Sequence, residues 1–100
     1  MTSKHKLGDV GTKLLLENDR VKIWDLALEP GQSSDWHHHT LAYINVGLTE
    51  SKMRREYEDG TTDETTPTVG QHRYAEKHQP HVVTNIGSAP HRNILIEIKE

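Results

Sequence analysis

The stretch Trp36-His37-His38-His39-Thr40-Leu41-Ala42-Tyr43-Ile44-Asn45-Val46 opens on three consecutive histidines and runs into a segment rich in β-formers. Side chains of a strand alternate between its faces, so His37 and His39 share one face and His38 takes the other. At a rise of about 3.3 Å per residue, the two imidazoles lie roughly 6–7 Å apart along the chain. Both can then reach one metal ion at about 2.0–2.1 Å from each nitrogen. One strand does not readily supply a third ligand, so that ligand is expected from elsewhere. Continued over residues 36–48, the strand puts Leu41, Tyr43, Asn45 and Gly47 on the histidine face and Ile44, Val46 and Leu48 opposite. Two His, a Tyr and an Asn on one face suit a strand that lines a pocket.

Outward from this stretch the chain breaks into short β segments. Residues 1–11 are polar around Leu7 and Val10 and are expected to be a flexible N-terminal segment. Lys13-Leu14-Leu15-Leu16-Glu17 is apolar and closes at Asn18-Asp19. Residues 20–29 alternate, but the phase shifts from Val21 and Ile23 to Leu26 and Leu28 after Trp24, which predicts a bulge or bend. Pro30-Gly31 then makes a turn. In residues 51–59, Met53, Arg55 and Tyr57 share a face, and Asp59-Gly60 signals a hairpin. Residues 61–68 read as a loop or an exposed strand, and residues 71–76 place His72, Tyr74 and Glu76 together. The final segment alternates Ile94, Ile96 and Ile98, which are expected to face inward and leave Glu97 exposed. Short strands, turns at intervals of about 8–12 residues and no helical periodicity predict an all-β sandwich or barrel, with one domain over residues 12–100.

Composition narrows the partners. The chain has 100 residues, 32% of them hydrophobic, with no Phe. Trp24, Trp36, Tyr43, Tyr57 and Tyr74 are therefore its large rings, and the core must be thin or gain burial against a second copy. A formal charge of −3 without a basic block argues against nucleic acid. The absence of cysteine removes disulfides and thiolate chemistry. No apolar run approaches the roughly 20 residues of a membrane span, and no signal peptide opens the chain, so a soluble cytoplasmic protein without a membrane partner is expected.

Eight histidines are the compositional excess. His72, His78, His81 and His91 are candidates for the third ligand, and His81, after Pro80 at the mouth of an apolar strand, is the best placed. His72 and His78 could instead hydrogen-bond a ligand, line the pocket or replace His81. His5, His38 and His91 read as surface or satisfied core residues. Glu56, Glu58 and Asp59 read as a solvated charge run before the turn. No catalytic carboxylate pair, Ser/His/Asp set or phosphate-binding Gly loop is evident.

The arrangement resembles the cupins, over roughly residues 20–99. Gly31, His37 and His39 match the first cupin motif, a Gly and five residues before His-x-His. Gly70, His81 and Asn85 match the second motif in register, but Glu76 and His78 stand at its Pro and inner Gly positions. Where the family usually supplies a glutamate ligand, this chain has Tyr43 and Ile44. The resemblance implies a small double-stranded β-helix, or RmlC-like jelly roll, holding one divalent ion on His37, His39 and His81. The ion could be iron, zinc, nickel or manganese, and copper also accepts imidazole. Tyr43 would be a proton donor or orienter beside the ion. Arg55 is either an anchor for a substrate carboxylate or a plain surface residue.

Three functions fit. The first is a metal-dependent enzyme, dioxygenase-like or an isomerase or lyase, acting on a small polar molecule. The second is a module that binds a small molecule or metal without turnover. The third is a structural barrel with a vestigial site. Cupins of this length are often homodimers, which the resemblance implies here, with residues 13–16 laid against the partner.

Overall fold

Residues 6–77 and 79–99 are described in a computed structural model. His5 and His78 lie outside them. The elements are β1 (Lys13–Glu17), β2 (Val21–Leu28), β3 (Tyr43–Gly47), β4 (Met53–Tyr57), β5 (Thr62–Thr65), β6 (His72–Ala75), β7 (His81–Asn85) and β8 (His91–Ile98). They form a five-stranded sheet, β1-β2-β8-β3-β6, and a three-stranded sheet, β5-β4-β7. All the strand pairs are antiparallel. The fold is the expected all-β jelly roll. No helix among the described residues is long and apolar enough to cross a membrane.

Turn chemistry sets the connections. Pro30 and Gly31 occupy the corner between Glu29 and Gln32, whose N–H reaches the Glu29 carbonyl at 2.9 Å. Gly31 has φ of 86°, a value that favours glycine. Asp59-Gly60 joins β4 to β5 as its sequence predicts, with Tyr57 N–H bonded to the Thr61 carbonyl at 2.9 Å. The Asp59 carboxylate also accepts from the Thr61 N–H at 2.9 Å.

The histidine stretch is not one strand over residues 36–48. Only Tyr43–Gly47 forms β3, within the larger sheet. Residues 31–37 instead run along the free edge of β7 in the smaller sheet. Gly31 N–H bonds the Asn85 carbonyl at 2.8 Å, Ser34 N–H bonds the Val83 carbonyl at 2.8 Å, and His37 and His81 exchange two bonds of 2.9 Å. The chain therefore crosses from one sheet to the other between His37 and Tyr43. That crossing brings residues of both sheets to one cavity.

Two apolar clusters fill the interior. Val10, Trp24, Tyr43 and Leu95 form one, with Ala75 against it. Leu26, Leu28 and Met53 form the other, with Val83. The phase shift in β2 is not a bulge, because β2 pairs with β8 in continuous register from Val21–Ile98 to Leu28–His91. Trp24, Leu26 and Leu28 face inward, while Val21 and Ile23 are apolar on the outer face. The irregularity lies in β1, between Leu14 and Leu16.

The last strand reverses its expected orientation. His91, Asn93, Leu95 and Glu97 are buried, and Ile94, Ile96 and Ile98 are only half-buried. The inner face of β8 meets a polar cavity and an indole N–H, so polar side chains that satisfy those groups occupy it. The isoleucines are covered instead by cross-strand neighbours on the outer face. Leu16, Ile23, Ile96, Ile44 and Tyr74 form an apolar row, opposite one another in turn across the five strands.

Candidate metal centre

His81 opens β7 directly opposite His37, which places the two imidazoles side by side. His39 lies two residues beyond His37, and His38 between them is exposed, as strand parity predicts. The relative exposures of His37, His39 and His81 are 1%, 2% and 3%. One ligand nitrogen from each lies within 4.8 Å of the others. Ring centroids are 4.9 Å apart for His37 and His39, 4.5 Å for His37 and His81, and 5.2 Å for His39 and His81. The three residues predicted as ligands are thus close enough to hold one ion.

Neighbouring groups orient this set. His37 Nδ1 lies 2.7 Å from the Asp35 carbonyl. A proton donated there leaves Nε2 as the donor atom available to an ion. Ser34 Oγ accepts from Val83 N–H at 3.0 Å and donates to the Asp35 carbonyl at 2.9 Å, fixing the segment before His37. After His81, the side chain of the fully buried Asn85 bonds the Leu28 and Ala89 carbonyls at 3.0 and 2.9 Å and the Gly87 N–H at 3.0 Å. Asn85 thereby ties the exit of β7 to the other sheet.

Three buried imidazoles suit a borderline divalent ion, which accepts nitrogen donors and repays their loss of hydration. Among the described residues lining the cavity there is no Asp or Glu. Tyr43 is 4% exposed and stacks on His39, with centroids 4.0 Å apart and an interplanar angle of 20°. Burial raises the pKa of its phenol, and the charges of Arg73 and Arg55 work against that rise.

Arg55 also lines the cavity, but a carboxylate already engages it. Its Nε and one terminal nitrogen each bond Asp63 at 2.8 Å. Burial works against the Arg55 charge, but the Asp63 hydrogen bonds and neighbouring groups hold its pKa above the ordinary value. Tyr57 stands edge-on to His81, with centroids 5.5 Å apart. His72 is exposed, with Nδ1 3.2 Å from the Gly70 carbonyl, and is not part of the triad.

A further polar chain escaped the sequence reading. Ser51 Oγ lies 2.6 Å from His91 Nδ1, and His91 Nε2 lies 2.6 Å from Asn93 Oδ1. Asn93 Nδ2 donates in turn to Asn45 Oδ1 at 2.8 Å. His91 is therefore a satisfied interior residue, and burial lowers its pKa while the Asn93 bond opposes that shift. Strand parity flagged Asn45, but Asn93 and Ser51 gave no signal until the register was known. The cavity measures about 120 Å³ and is lined by Asn45, His91 and Asn93 together with apolar Leu26 and Met53.

No family model matches the chain, and no curated protein does. Solved structures do. A cupin domain from Bordetella pertussis Tohama I superposes with a TM-score of 0.81 at 26% identity, over 88% of this chain and 91% of that one. The fold is that of a cupin. An RmlC-like cupin with a double-stranded β-helix from Methanocaldococcus jannaschii matches at a TM-score of 0.69 and 13% identity, over 99% of this chain and 92% of that one. The polyketide cyclase RemF from Streptomyces resistomycificus matches at 0.61 and 20% identity, over 83% of this chain and 57% of the cyclase. The cupin fold accounts for the convergence of both histidine segments on one cavity.

Proposed function

We propose that this cupin is a metal-dependent enzyme acting on a small polar molecule at His37, His39 and His81. The observation that carries this reading is the cluster of three buried imidazoles at a cavity, with ligand atoms within 4.8 Å of one another. The ion would be iron, zinc, nickel or manganese. When bound, it supplies Lewis-acid polarisation or, as iron, affinity for dioxygen. Tyr43 holds a proton at its hydroxyl beside His39 and serves as donor or orienter. Leu26, Met53 and Leu95 exclude water from the site. Arg55, held by Asp63, forms part of the wall. A cupin neighbour that is a polyketide cyclase supports catalysis in a barrel of this shape.

The reading is tested by loading metal-stripped protein separately with each ion and assaying small diketones, thiols, amino acids and keto acids for consumption and oxygen uptake. Turnover that requires the ion, and is lost in His81→Ala, supports an enzyme. Stoichiometric ligand binding without turnover for every ion would make it a binding module.

The partner proposed is a second copy, seated on β1 and the outer face of the larger sheet. Leu14, Leu15 and Leu16 are 41%, 46% and 46% exposed on an edge strand, where backbone groups stand ready to pair. Lys13 and Glu17 bracket these leucines. An antiparallel copy brings Lys13 toward Glu17 of the partner subunit, and the apolar row through Ile23 and Ile96 continues the buried surface. The compartment proposed is the cytoplasm.

A further inference from the structure

The charge of the cavity lining differs from that of the chain. The protein carries a formal charge of −3, yet the described residues lining the cavity include Arg55 and Arg73 and no carboxylate. Low-dielectric walls of one sign focus the field and raise the local concentration of the opposite charge. The two cations are not equivalent. Asp63 takes Arg55 in a two-point pair at 2.8 Å, which leaves its charge largely compensated. Arg73 lies on β6 opposite Asn45 of β3, and both line the cavity. Arg73 is also exposed to solvent, so the cavity mouth presents a guanidinium whose charge no carboxylate in the lining meets.

We infer that the site takes a small carboxylate anion, held by Arg73 at the cavity mouth with the Asn45 amide beside it. This rests on the cavity being the functional site, as proposed above. A guanidinium offers a planar fork that matches a carboxylate. Asn45, with its oxygen occupied by Asn93, has its amide N–H groups left to donate to the same anion. A cavity of about 120 Å³ lies well below the range of about 300–1,000 Å³ for drug-sized ligands, which restricts the acid to a few heavy atoms. The role given to Arg55 by its sequence position passes to Arg73, because Asp63 already fills the Arg55 fork.

The test compares propionate with propionamide, which have the same shape and different charge, by calorimetry. Wild type, Arg73→Gln, Arg73→Lys and His37→Ala are each titrated, with bound metal measured in parallel. Wild type is expected to favour propionate by about tenfold or more, the size of one charge-assisted hydrogen bond. Arg73→Gln should abolish that preference, and Arg73→Lys should retain part of it. Equal binding of acid and amide, binding of neither, or an unchanged preference in Arg73→Gln would overturn the inference. Acid preference that persists in protein holding no metal would show that the anion site stands independently of the metal reading.

Discussion

The indole Nε1 of Trp24 donates to Glu97 Oε1 at 2.8 Å, joining β2 to β8 inside the barrel across 73 residues of sequence. Glu97 is only 6% exposed. Lys22 stands opposite Glu97 in the β2–β8 register, with its ammonium 5.1 Å from the Trp24 ring. A large ring in a Phe-free core can be buried at little cost only if its polar N–H finds an acceptor, and Glu97 is that acceptor.

Removing the acceptor strands the indole N–H. Glu97→Ala should lower unfolding stability by about 1–3 kcal/mol in urea titration, and Glu97→Gln, which keeps an acceptor, by clearly less. Equal losses for the two variants would show that packing volume, and not the hydrogen bond, sets the contribution of Glu97.

Acid sensitivity should have a component from His91. Burial lowers its folded pKa, so the unfolded chain binds more protons between that value and the ordinary histidine pKa of about 6.5. The contribution is complete above the ordinary value and is lost as pH falls through the folded one. With metal stripped, His91→Gln should lose less stability than wild type when pH drops from above 6.5 to about two units below. Parallel pH profiles for the two proteins would exclude His91 from this role.

Much of the site was legible because its signals are local. Strand parity separates His37 and His39 from His38 even though the stretch is irregular, since alternation survives a crossing between sheets. His81 and Asn85 stood out by their spacing from Gly70. What stayed hidden depends on partners distant in sequence. Ile94, Ile96 and Ile98 look like the inward face of β8 until the cavity is seen to demand His91, Asn93 and Glu97. Arg55 looks like an anion anchor until the hairpin brings Asp63 opposite it. Arg73 acquires a role only through the β3–β6 register. The apolar face of a strand is not marked in the strand itself when both sides carry apolar residues.

Self-association should depend on the outer face of the larger sheet. Leu16, 46% exposed and opposite Ile23, can accept a charge at a cost within about 0.5 kcal/mol in an isolated barrel. Leu16→Glu should therefore remain folded and sediment as a monomer, with wild type sedimenting as a dimer at the same concentration. A wild-type monomer, or a dimer that Leu16→Glu leaves intact, would contradict this interface.

The central claim is that His37, His39 and His81 hold one metal ion. Elemental analysis of tag-free wild type and the His37→Ala/His81→Ala double variant tests it most directly. The account predicts about one divalent ion per chain in wild type and a near-complete loss in the variant, with the β fold retained by circular dichroism. Wild type that takes up no ion after incubation with iron, zinc, nickel and manganese, or a folded variant that binds as much as wild type, would contradict it.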